Sequence, residues 1–92
     1  MNKLLPIFMK LEDKPCLVVG GGKIALQKIN QLLDSKALVS VVSPQISESI
    51  QSLPVTVVNR YYESRDIDGV KLVIAATDNK KVNRRVYLDA QK

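Results

Sequence analysis

Residues 17–28 read LVVGGGKIALQK: an apolar run, three consecutive glycines, then a segment with helical periodicity. Cys16-Leu17-Val18-Val19 is apolar without alternation, the pattern of a strand covered on both faces as in parallel sheets. Beyond the glycines, Ile24, Ala25, Ile29, Leu32 and Leu33 fall on one stripe of a helix, with Lys28, Gln31 and Asp34 nearer the other side. Gly20, Gly22 and Ala25 match G-x-G-x-x-G/A at the one place where that pattern has a mechanism. Gly20 permits the tight turn, Gly22 lets backbone approach a pyrophosphate, and Ala25 lets helix and strand pack closely. The free N–H groups of the first helical turn then face the anion. The stretch reads as strand, glycine turn and helix built for a dinucleotide, against the plainer alternative of a structural turn.

Working outward, Ile7, Met9 and Leu11 alternate with Phe8 and Lys10 and predict a short strand, ended by the turn Glu12-Asp13-Lys14-Pro15. A second β-branched strand is expected over Leu38 to Val42, stopped by Ser43-Pro44. A short helix is expected over Gln45 to Leu53, then strands over Val55 to Val58 and Val70 to Ala76. The polar YYESRDIDG between those strands leaves room for one helical turn at most. From Asn79 onward Val82, Val86 and Ala90 predict a last amphipathic helix. Strands alternating with helices imply an α/β fold: one Rossmann-like NAD(P)-binding domain over residues 1–92, with a mostly parallel sheet and flanking helices. A parallel sheet halted at that helix leaves one edge uncovered, so the expectation is a fragment of a longer chain, truncated before its last strand.

An apolar fraction of 46% with 25% charged residues fits a folded globular domain. No apolar run reaches the about 18 residues that a membrane span needs, and the amino terminus lacks signal-peptide character, so a cytoplasmic protein without membrane partners is expected. With no histidine and one cysteine, Cys16, read as a buried structural thiol, a clustered metal site is not expected. Proton transfer would fall to a carboxylate, a tyrosine or water. The formal charge of +5 points to an anionic partner without choosing among phosphates, nucleic acid and a polycarboxylate.

The usual partner of the glycine motif is an acid at the end of the second strand, gripping the ribose hydroxyls. Val42, Ser43, Pro44 and Gln45 stand there instead. Ser43 and Gln45 can still hydrogen-bond a ribose, and the absence of an arginine in the acid's place favours NAD over NADP. In a parallel sheet the stretch Ala76-Thr77-Asp78 emerges beside the glycine turn, where Thr77 and Asp78 border the same crevice or cap the next helix. Lys80, Lys81, Arg84 and Arg85 form like-charge i, i+4 pairs at a helix amino terminus, which local electrostatics disfavours. They read either as a solvated face or as a platform for a multiply anionic ligand. Tyr61, Tyr62, Tyr87 and Phe8 show no interleaving with these charges, so a nucleic-acid interface lacks its stacking residues and is not expected.

Taken together, LPIFMKLEDKPCLVVGGGKIALQKINQLL, then VSVVSP, then LVIAATDNKKVN closely resemble the amino-terminal domain of the siroheme synthase family, the precorrin-2 dehydrogenases and sirohydrochlorin ferrochelatases. The resemblance covers nearly the whole chain, with Asn83 following the AATDN loop as in the family. It implies NAD-dependent oxidation of precorrin-2 to sirohydrochlorin in siroheme biosynthesis, hydride passing to the nicotinamide, and ferrochelatase activity in some full-length members. The tetrapyrrole's many carboxylates give Lys80 and Arg84 a partner. By position, Lys23 and Ile24, with Pro44 and Gln45, fall where the family contacts NAD, and Thr77 and Asp78 fall at the nicotinamide end. The resemblance also implies a homodimer in the full-length form and a catalytic aspartate on a strand beyond Lys92, so no catalytic residue is assigned within this chain. Asp78 as a proton acceptor is the lesser option. A dinucleotide-sensing domain without catalysis is the alternative function. One departure stands out: relatives carry glycine just past the first helix, where this chain has Asp34-Ser35-Lys36-Ala37. Either that helix lacks a left-handed cap or a non-glycine residue bears about 1–2 kcal/mol for one.

Overall fold

The computed structural model describes residues 10–91. In chain order the elements are β1 (Pro15–Val19), α1 (Lys23–Asp34), β2 (Leu38–Ser43), α2 (Glu48–Gln51), β3 (Thr56–Asn59), a 3₁₀ turn (Ser64–Ile67), β4 (Leu72–Ala75) and α3 (Lys80–Ala90). The four strands form one parallel sheet in the order β3-β2-β1-β4, with Val18 of β1 level with Val41 on one side and Ile74 on the other. From β1 the chain winds first toward β2 and β3 and then crosses back to β4, so the order reverses between β1 and β4. Crevices at such a reversal are where open α/β sheets bind ligands.

Alternation along the strands explains the two layers. Cys16 and Val18 of β1 and Val39 and Val41 of β2 point to the face covered by α1 and α2, where they pack with Ala25, Ile29, Leu32 and Ile50. Leu17, Val19 and Val42 point to the opposite face and pack with Tyr62 and with Val86 of α3. Cys16 is a buried free thiol, as its apolar run predicts. Each fully buried Val or Ile contributes about 1.5–3 kcal/mol relative to exposure.

Several boundaries differ from the sequence expectation, each for a physical reason. The strand predicted over Ile7 to Leu11 lies outside the described residues except for Lys10 and Leu11, which belong to no strand. The helix expected over Gln45 to Leu53 contracts to Glu48–Gln51, because the backbone just before it is held against the glycine turn: the Ser47 N–H donates to Gly21 O at 3.0 Å. The last helix buries Val86 and Asp89, with Val82 packed beside them, while Ala90 is exposed. Eight residues rotate a helix roughly 80° past the starting direction, whereas seven return to within about 20° of it. Ile24 is not core either; it is 62% exposed and faces the cleft described below.

The helix without a glycine cap resolves toward the strained option. Lys36 takes a left-handed conformation with φ of 61°. Its N–H donates to Leu33 O at 2.9 Å and the Ala37 N–H to Leu32 O at 3.1 Å, the paired bonds of a Schellman end. Asp13, also left-handed with φ of 60°, donates its N–H to Lys36 O at 2.9 Å, so the turn before β1 locks the turn after α1.

Candidate functional site

At the carboxyl ends of the strands the turns after β1, β2 and β4 converge on a cleft of about 910 Å³. Its near wall is the glycine turn, and the three glycines differ in what they do. Gly20 has φ of 137° and passes so close to β4's exit that an added Cβ would strike the Ala76 carbonyl, 2.7 Å from its carbon. Gly21 lies under the turn after β2, where an added Cβ would collide with the Gln45 carbonyl oxygen and sit 2.8 Å from the Ile46 Cα. Gly22 is exposed, with φ of −105°, and an added Cβ there would meet nothing of the protein within 4 Å. Packing therefore requires the first two glycines and leaves the third facing open space.

Gly22 is the residue before α1, and no side chain caps that helix. The first N–H groups of any α-helix lack intrahelical partners, and here they open on the cleft beside Gly22, Lys23 and Ile24. No acidic residue stands in the first turn to neutralise the helix dipole. An anion of pyrophosphate type fits this end, because it would satisfy the open donors and would meet no side chain at Gly22.

Ser43, Pro44 and Gln45 line the cleft at the end of β2. Opposite them, Ala76, Thr77, Asp78 and Asn79 line it at the end of β4. Thr77 does not cap α3; Asn79 does, its side-chain oxygen accepting from the N–H groups of Lys81 at 2.9 Å and Val82 at 3.2 Å. Thr77 is pinned instead by Asn83. The Thr77 hydroxyl donates to Asn83 Oδ1 at 2.6 Å, and the Asn83 amide donates back to the Thr77 carbonyl at 2.9 Å. Asp78 is exposed, and among the described residues it is the one acid lining the cleft and it forms no ion pair or hydrogen bond.

The basic cluster divides. Lys80 and Arg84 are exposed and do not line the cleft, so the structure does not bring them to the other site residues. Arg85 does line it, and its guanidinium carbon stands 5.7 Å above the centre of the Tyr62 ring. Interleaving along the sequence, which these charges lack, fails as a guide to this contact. It fails because Tyr62 lies far from Arg85 in sequence and is carried under α3 by the crossover after β3. Tyr62 is 6% exposed and its hydroxyl donates to Asp89 Oδ2 at 2.7 Å. Burial, then this bond to a carboxylate, push the phenol well above its usual range. The turn that delivers Tyr61 and Tyr62 is braced by Arg60, which pairs with Asp66 at 2.6 Å; that guanidinium holds the Asp66 carboxyl below its usual range.

Among the cleft residues that sequence reasoning did not place there are Gly21, Tyr61, Tyr62, Val82 and Arg85. Arg85 had a signal: it follows Val82 by three on a helix and shares its face. Gly21 had none, since its need for glycine comes from Gln45 and Ile46.

The family model for NAD(P)-binding domains matches residues 7–92. The chain is 47% identical over 91 residues to a siroheme synthase of Methylobacillus flagellatus and 44% identical over 91 residues to one of Ectopseudomonas mendocina, covering 95% and 97% of this chain. It spans about a fifth of the length of those relatives, 20% in each case. Among solved structures it superposes on SirC, a precorrin-2 dehydrogenase, with a TM-score of 0.86 and 28% identity, over 91% of this chain and 44% of that one. The chain belongs to the NAD(P)-binding family, with a Rossmann-like fold.

Proposed function

We propose that this member of the NAD(P)-binding family is the NAD-binding domain of a longer precorrin-2 dehydrogenase, serving the oxidation of precorrin-2 to sirohydrochlorin on the route to siroheme. The observation that carries the reading is the uncapped amino terminus of α1 beside a glycine that nothing in the protein crowds. The name of the similar solved structure supplies the substrate, and the names of the two relatives supply siroheme as the end product. The longer protein is read as homodimeric on the resemblance alone, and as cytoplasmic because no apolar run in this chain reaches the about 18 residues that a membrane span needs.

When bound, NAD supplies the hydride acceptor; this chain's residues bind and orient it. The N–H groups at Gly22, Lys23 and Ile24 take the pyrophosphate. The Ser43 hydroxyl and the Gln45 amide, beside Pro44, take the place of the missing acid on the ribose. Thr77, held rigid by Asn83, positions the nicotinamide end. Loss of a hydride from the tetrapyrrole is accompanied by loss of a proton. The family resemblance gives its acceptance to an aspartate beyond Lys92, and Asp78, exposed at the cleft, is the lesser option. Lys80 and Arg84, outside the cleft, offer charge to substrate carboxylates extending past its rim.

The test is to present the full-length protein with NAD and precorrin-2 and to follow the absorption spectrum. Sirohydrochlorin formation is expected. NAD binding with no sirohydrochlorin would sink the dehydrogenase reading and leave a dinucleotide-sensing domain.

A further inference from the structure

We infer that Arg85 is the adenine-stacking residue of the cleft, the planar face of its guanidinium forming the seat for the base of the bound dinucleotide. This rests on the dinucleotide reading of the cleft and adds a residue that the glycine motif does not contain. Three observations carry it.

The first is that Arg85 is held without being neutralised. Its guanidinium lies over the Tyr62 ring and donates to Ser64 Oγ at 3.3 Å, yet among the described residues it forms no ion pair. Tyr62 itself cannot swing away, because it is buried and bonded to Asp89. A flat cation is thus held over an aromatic ring while the residue lines the cleft. Arginine, planar and weakly hydrated, stacks on rings with either face.

The second is location. Tyr62 packs with Val19 and Val42, the carboxyl-terminal ends of β1 and β2, on the α3 face of the sheet. Ser43, Pro44 and Gln45 follow Val42 directly. In this fold the ribose held at the end of the second strand belongs to the adenosine half. A base attached to a ribose there reaches the wall made by Arg85, the half-buried Val82 and Tyr61, which is 74% exposed.

The third is a shortage. Ser43 and Gln45 offer the adenosine ribose neutral hydrogen bonds in place of the charge-assisted ones of the absent acid, so that half of the cofactor gains from another source of affinity. A guanidinium face against a purine supplies it without demanding a negative group on the ribose.

The experiment is a calorimetric titration of ADP-ribose into the unaltered protein and into R85A and R85K, with thermal melts to verify folding. Arg85 is exposed and the variants are expected to fold. Stacking requires the planar group, so both variants should bind ADP-ribose about tenfold more weakly, within the range of cation–π contacts. Affinity restored by R85K would mean a charge contact, and affinity unchanged in R85A would mean no contact; either overturns the assignment while the dinucleotide reading stands. Absence of ADP-ribose binding to the unaltered protein overturns both.

Discussion

The two long helices that border the cleft begin in opposite ways. At α3 the protein satisfies its own backbone: Asn79 accepts from two first-turn N–H groups, and the preceding loop is knotted by Thr77 and Asn83. At α1 no side chain caps the helix, and the residue before it carries no side chain at all. The same asymmetry runs to their other ends, where α3 is tied by a side chain, Asp89 to Tyr62, and α1 by backbone bonds around Lys36. A helix end satisfied within the protein is structural. One left open at the reversal point of a parallel sheet is available to a ligand.

The largest effect should come from the glycine that looks least like part of a motif. Gly21→Ala forces a methyl group into the backbone of Gln45 and Ile46 and is expected to destabilise by about 3 kcal/mol or more, read by urea denaturation. A variant as stable as the original would show that the clasp between these turns is loose. Next, Asn79→Ala should cost about 1 kcal/mol through loss of the cap, while no change would mean that α3 starts no differently from α1.

The alkaline limb of stability reports the other tie on α3. The Tyr62 phenol titrates higher in the folded protein than its unfolded value of about 10, so unfolding releases its proton more readily. Its contribution is therefore complete below about pH 10 and is lost as pH rises beyond that toward the folded value. Tyr62→Phe should flatten this loss in denaturation midpoints measured across that window; an unaltered slope would place the alkaline sensitivity elsewhere. The smallest effect is expected at the end of α1. Lys36→Gly relieves a left-handed lysine at some entropic cost and should stabilise by about 0.5 kcal/mol in the same assay.

What was legible in the sequence follows the same division. Continuous apolar strands, the stripe through Ala25, Ile29 and Leu32, and the G-x-G-x-x-A spacing are local patterns, and they sufficed for the parallel sheet and the turn that faces the ligand. Ser43 to Gln45 and Thr77 to Asp78 were placed at the cleft by topology alone, because strand ends in a parallel sheet share one side. The residues that escaped are those fixed by contacts between distant segments. Gly21 answers to Gln45, Arg85 to Tyr62, and the carboxylate of Asp89, which helical phase puts on the buried stripe in place of Ala90, to a tyrosine 27 residues earlier. A charged residue on an apolar face gives no sign of its partner until the crossover brings that partner across.

The central claim is that α1 is left open for the phosphates of a dinucleotide, and Gly22 separates it from structural explanations because an alanine there meets no protein atom. The decisive measurement is an equilibrium titration of NAD against the unaltered protein and Gly22→Ala, with melting curves of both. NAD should bind the unaltered protein, and the variant should melt at the same temperature while binding at least about tenfold more weakly, a difference of about 1.4 kcal/mol. Equal affinity in the two proteins, or no binding to either, would contradict the account.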